Sequence, residues 1–232
     1  MKKILNRLFG LVLVFWVLNV SGAEETPPKI TPLQLSIWNP VQLAPDDWDV
    51  WGLRLNMLYG MNRDLYGLDV GVFNLVRRDF AGIQAGIANL TGTESGRAFT
   101  GIQVGVANLS TLSGAGSSGA RGLQLAPICN IVGKMSGLQV GFLNFADELG
   151  GLQIGTLNLA ESLAGIQIGF VMNSSSSMRG VQLGFSNRAA DMHGLQFALV
   201  NIADNMTGVQ IGLVNVIKES PVAFFPIINA HF

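Results

Sequence analysis

Apolar and polar residues alternate in short runs along most of this chain, and the runs repeat. GLQIGTLNL (151–159) is followed by GIQIGFVMN (165–173) and preceded by GIQVGVANL (101–109) and GLQVGFLNF (137–145). The phrase starts at Gly67, Gly82, Gly101, Gly122, Gly137, Gly151, Gly165, Gly180, Gly194 and Gly208, with a degenerate copy, GLRLNMLYG, at Gly52. Spacings are mostly 14 or 15 residues, with two longer ones of 19 and 21. With the glycine as position 1, positions 2 and 4 are apolar and position 6 mostly so. Position 3 is glutamine in nine copies (Gln84, Gln103, Gln124, Gln139, Gln153, Gln167, Gln182, Gln196, Gln210), Asp69 in one and Arg54 in the degenerate one. Asparagine recurs at position 8 as Asn89, Asn108, Asn144, Asn158, Asn187, Asn201 and Asn215. The residue two before the glycine is apolar, as in Leu65, Phe80, Phe99, Met135 and Leu149.

A period of two is the signature of a β-strand with one apolar face. The opposite face carries the glutamines, which can bond sideways to neighbouring copies. Asn at position 8 and the polar residues after it suit a turn, because Asn and Asp bond their own backbone there. Each repeat therefore predicts one strand of seven to nine residues and a turn. One such strand cannot bury its face alone, whereas stacked copies make a continuous core.

The fold expected is all-β, with about 12 short strands closed into a shallow antiparallel β-barrel. Short turns suit a meander, and a closed barrel has no exposed edge. SIWNPVQL (36–43) and FFPIINAHF (224–232) resemble first and last strands, each with a proline tolerated only at edges or bulges. The alternative is a β-solenoid with one coil per repeat. Positions 2, 4, 6 and 9 and the residue two before the glycine would then point inward, and Asn would stack at a corner. Insertions at 91–99 and 110–120, at the same place in consecutive repeats, favour that alternative; the small interior of a 14-residue coil opposes it. The 2-4-6 stripe is only ~13 Å long at about 3.3 Å per residue, whereas a membrane barrel carries an apolar band of ~25 Å.

The N-terminus changes the picture. Lys2, Lys3 and Arg7 precede an apolar run from Leu8 to Val20 and a small-residue site at Ser21-Gly22-Ala23, the pattern of a secretory signal peptide over residues 1–23. Residues 24–232 form a single β-repeat domain: an N-terminal closing segment (33–60), repeats (52–216) and a C-terminal closing strand (222–232). Without those three basic residues, eleven Lys and Arg face fifteen Asp and Glu, a net charge of −4 that offers nothing to nucleic acid. Charged residues are only 12% of the chain, about half the usual ~25%, so the protein either buries much of its surface or meets something apolar, for which the outer membrane or lipid is the candidate partner. Cys129, the single cysteine, reads as an inert strand residue.

No catalytic residues, metal site or cofactor are expected. GAGSSG (114–119) fits a dinucleotide fingerprint but lies between strands with no helix to follow. His193 and His231 are the only histidines and read as surface residues. Asp46, Asp47 and Asp49, with Trp48 and Trp51, are the one candidate ligand cluster, for a cation or a sugar; a turn is the plainer reading. Asn89, Asn108, Asn173 and Asn205 head N-glycosylation triplets.

DVWGLRLNMLYGMNRDLYGLDVGVFN (49–74), the GxQxGxxN repeats and SPVAFFPIINAHF (220–232) resemble the bacterial surface-repeat proteins, an exported family. The resemblance covers residues 33 to 232 and implies a location in the bacterial cell envelope: outer membrane or cell surface, otherwise periplasm. It implies no activity. The chain is expected to be a structural surface protein or a binder of lipid or another apolar ligand. GLQLAPICN (122–130) departs from the pattern through Pro127 and a late Asn130, which predicts a bulge or break.

Overall fold

The structure is a computed structural model and describes residues 29–93, 99–110 and 119–232. The predicted signal peptide, most of the two insertions and GAGSSG up to residue 118 lie outside the described residues. Eleven strands form one sheet: β1 (Ile30–Trp38), β2 (Val41–Gln42), β3 (Asp49–Asn62), β4 (Leu65–Val76), β5 (Phe80–Ala85), β6 (Ala88–Thr91), β7 (Phe99–Val104), β8 (Ala107–Ser110), β9 (Ala120–Phe197), β10 (Val200–Ile217) and β11 (Phe224–His231). The 78-residue β9 is no straight strand; it winds through several turns of a coil.

Register settles the architecture. Gly67 pairs with Gly82, Gly82 with Gly101, Gly101 with Gly122 and Gly194 with Gly208, all in parallel strands. Each repeat lies on the next in the same direction, as in a solenoid of about eleven turns. At about 4.8 Å per rung the stack is ~50 Å long. Among the described residues, antiparallel pairing occurs only at the ends, between β1 and β2 and between β10 and β11. The closed antiparallel barrel is therefore wrong, and the segments 36–43 and 224–232 do not meet to close anything: they stand at opposite ends of the strand order. Short connections suit hairpins, but here the chain bends at each corner without reversing.

The inward set also differs from that expected of a solenoid. Four columns of side chains fill the interior: position 3, the column asparagine, the residue two after that asparagine, and the residue two before the glycine; position 5 also faces inward but is glycine or alanine in every copy except Asn56. The apolar positions 2, 4 and 6 lie outside. The last two of the four columns are the apolar core, which runs from Val50, Leu65 and Val76 through Phe80, Phe99 and Met135 to Met206 and Ile217. Phe80 and Phe99 stack with centroids 6.1 Å apart. A 14-residue coil is wide enough because only these four side chains and the small residue at position 5 must fit inside it.

The repeat glycines are held at φ between +129° and +152°, a region L side chains rarely adopt. A Cβ built on Gly151 would collide with the carbonyl oxygen of Gly137 in the preceding coil. Glycine at position 1 thus lets coils approach to rung distance. Pro127 does not break the array. The extra residue is taken up at the corner, where Ile128 and Cys129 N–H both reach the Val106 carbonyl, and Asn130 returns to its column.

Candidate functional site: an amide interior under an apolar outer face

Glutamine and asparagine can fill the interior because a planar amide both donates and accepts. Each Gln Nε2 donates to the Oε1 of the Gln one coil nearer the N-terminus. Gln103 reaches Gln84 at 2.9 Å, Gln153 reaches Gln139 at 2.7 Å, and Gln210 reaches Gln196 at 2.8 Å. The asparagine ladder runs the other way. Asn144 Nδ2 donates to Asn158 Oδ1 at 2.9 Å, and Asn201 to Asn215 at 2.8 Å. A backbone acceptor sets this direction: Asn144 also donates to the Ile154 carbonyl of the next coil, and Asn158 to that of Ile168. Every ladder Gln and Asn from Gln84 to Asn215 is fully buried.

A one-way ladder must end. The glutamine ladder needs an acceptor beneath Gln84, and Asp69 Oδ2 receives Gln84 Nε2 at 2.8 Å. Arg54 then neutralises Asp69 with two bonds, Nε to Oδ1 at 2.8 Å and Nη2 to Oδ2 at 2.7 Å, both side chains being fully buried. The odd residues at position 3 are thus the terminator of the column. Asn56 begins the other ladder from position 5, donating to Asn74 at 2.8 Å across space left by Gly60. The free acceptors fall at the opposite ends, at Gln210 Oε1 and Asn56 Oδ1. Sequence reasoning missed Gln34, which pairs both ways with Ala44: Nε2 to its carbonyl and Oε1 from its N–H, each 2.8 Å. A glutamine in phase with Arg54 but outside any GxQxG phrase carries little signal.

The structure places Asp46 and Asp47 in a turn over this end of the coil. Asn62 donates to the carbonyls of Pro45 and Trp48 from below. Asp49 is engaged bidentately by Arg63, at 2.8 and 2.9 Å, and Lys29 lies 5.8 Å over the Trp48 ring. Trp51 meets Tyr66 edge-on at 5.4 Å and does not join that cluster. Burial pushes the Asp64 carboxyl above its ordinary 3.8, against the pull of the Asp79 N–H and Arg78. Among the described residues no group of three or more His, Cys, Asp or Glu is placed to hold a metal.

His193 is exposed, and His231 Nδ1 lies 2.9 Å from the Met206 carbonyl. Cys129 is buried, and burial raises its thiol pKa. Of the four glycosylation triplets, Asn89, Asn108 and Asn173 are fully buried ladder members; only Asn205 faces outward.

The outer surface is divided. Position 6 forms a column of Met57, Ile87, Phe142, Phe170, Phe185 and Leu213 along one edge, with Phe170 74% exposed. Exposed Leu55, Leu68, Val70, Ile83, Val104 and Phe197, from positions 2 and 4, extend the same apolar surface. The opposite edge, between the inward residue that follows Asn and the next glycine, is polar. There Lys134 pairs with Glu148 at 2.9 Å and Lys218 with Asp204, each linking adjacent coils.

Comparison with protein-family models finds no match, and comparisons with curated proteins and with solved structures find none either.

Proposed function

We propose that this is an exported structural β-solenoid of the bacterial cell envelope that lies with its apolar edge on a lipid surface. One observation carries the reading: positions 2, 4 and 6 point outward along the whole stack while charges gather on the opposite edge. A soluble monomer rarely exposes an apolar patch above a few hundred Å², and this surface runs the ~50 Å length of about eleven rungs. Such a body is the sheet counterpart of an amphipathic helix lying in the membrane interface. The signal-peptide pattern read in residues 1–23 and the resemblance to the surface-repeat family support the envelope location.

Co-sedimentation with neutral phosphatidylcholine vesicles tests it. With no basic excess, attraction comes from apolar burial, so binding should persist from low to high salt. Replacing Phe170 and Phe185 by lysine should weaken binding by at least about 100-fold, from roughly 1.5–3 kcal/mol lost per buried aromatic. Failure to bind vesicles, or binding equal in wild type and the double variant, sinks the proposal.

A further inference from the structure

We propose that the C-terminal end of the solenoid is a self-association surface, where β11 of a second copy adds antiparallel to β11 to make a two-fold, tail-to-tail dimer. This inference does not depend on the lipid reading. β11 runs antiparallel along β10, from Gly208 opposite His231 to Val216 opposite Phe224. Its other edge pairs with no strand among the described residues. An unpaired edge is a template for another chain, and proteins usually guard it with charge or cover. FFPIINAH has no charged Asp, Glu, Lys or Arg. Pro226, Ile227 in the left-handed region at φ 71°, and one register shift against β10 interrupt it near its middle. Phe224, Phe225, Ile227 and Ile228 are each more than half exposed.

The layer at this end is also unfinished. Phe225 and Asn229 lie opposite the ladder residues Asn215 and Gln210, so they continue the interior columns beyond the last coil. Gln210 Oε1 and Asn229 Nδ2, an acceptor and a donor on partnered residues, are both buried and unpartnered. The N-terminal end is different: the 43–48 segment closes it with the Gln34–Ala44 pair, the Asn62 bonds, the half-buried Asp46 and the exposed Asp47. One open and one closed end cannot propagate head to tail. An antiparallel edge is complementary to itself, so the contact closes at two copies.

The test is the protein mass of the full chain, purified in a mild non-ionic detergent that covers the lateral apolar edge, by light scattering coupled to size exclusion. The expected result is twice the monomer mass. Phe225→Lys and Ile228→Lys should each give monomer with an unchanged far-UV circular dichroism spectrum, while Phe170→Lys/Phe185→Lys should remain dimeric. If the lysine variants fold poorly, Ile228→Cys in a Cys129→Ser background provides a second readout. Oxidation should trap a covalent dimer, and Phe185→Cys in the same background should not. Monomer at about 100 μM, where an interface of micromolar Kd is nearly saturated, would overturn the proposal. So would dimers that survive the lysine variants, or that cross-link through residue 185 but not 228.

Discussion

A single coil residue carries obligations in two directions, which makes the interior intolerant of shape-preserving changes. Gln153 accepts from Gln167 and donates to Gln139. Gln153→Leu would leave one buried donor and one buried acceptor unmatched. At about 1–3 kcal/mol each, the loss should be ~2–6 kcal/mol in denaturant unfolding, against less than ~0.5 kcal/mol for a polar-edge control such as Ser162→Ala. Gly151→Ala should also destabilise, because its Cβ must displace the backbone of the coil below; thermal unfolding would show it, and an unchanged Tm would refute the packing account. Asp64 gives a pH signature. Its folded pKa lies above its unfolded one, so it contributes stability below about 3.8 that is lost as pH rises through the folded value. The Tm difference between Asp64→Asn and wild type should therefore grow in the variant's favour from acid to neutral pH. At this scale the sequence was partly legible. The regular Gln announced a ladder; Asn at position 8 suits a turn in the sequence and stacks only in the solenoid alternative, whereas it is a buried strand residue of a ladder. Period two cannot say which of a strand's two faces is the inside, and apolar 2-4-6 was the natural choice.

At the scale of the coil, the terminators behave as a unit. Arg54 and Asp69 replace two glutamines where the column ends, and neither makes sense alone. Removing one partner leaves a buried unpaired charge, so Arg54→Gln or Asp69→Gln should each cost roughly 3–5 kcal/mol. The double change restores a continuous amide column and should recover much of that loss. Additive losses in a double-mutant cycle would contradict the ladder-terminator role. These exceptions were visible in the sequence as departures at position 3, but their meaning was not, because only the parallel register brings residues 54, 69 and 84 into one line. The barrel expectation failed here too. A four-to-six-residue connection is compatible with reversal or with a corner, and local pattern does not distinguish them. The choice rests on whether the next strand can match identical side chains at the same height, a property of the whole array.

For the molecule as a whole, two buried amide columns beside the apolar core, with aliphatic side chains of positions 2, 4 and 6 outside, partly invert the usual division of a soluble protein. That inversion underlies both the lipid-binding proposal and its salt-insensitive vesicle test. The opposed directions of the two ladders have a further consequence. Each side-chain amide is a dipole of peptide size, about 3.5 D. The glutamine amides turn their positive ends toward the N-terminus and the asparagine amides turn theirs toward the C-terminus. Each coil adds one of each, so the stack gathers no net axial field as it lengthens. A coil can be gained or lost without altering the electrostatics at either end, which leaves the number of coils free to vary by duplication of a single repeat.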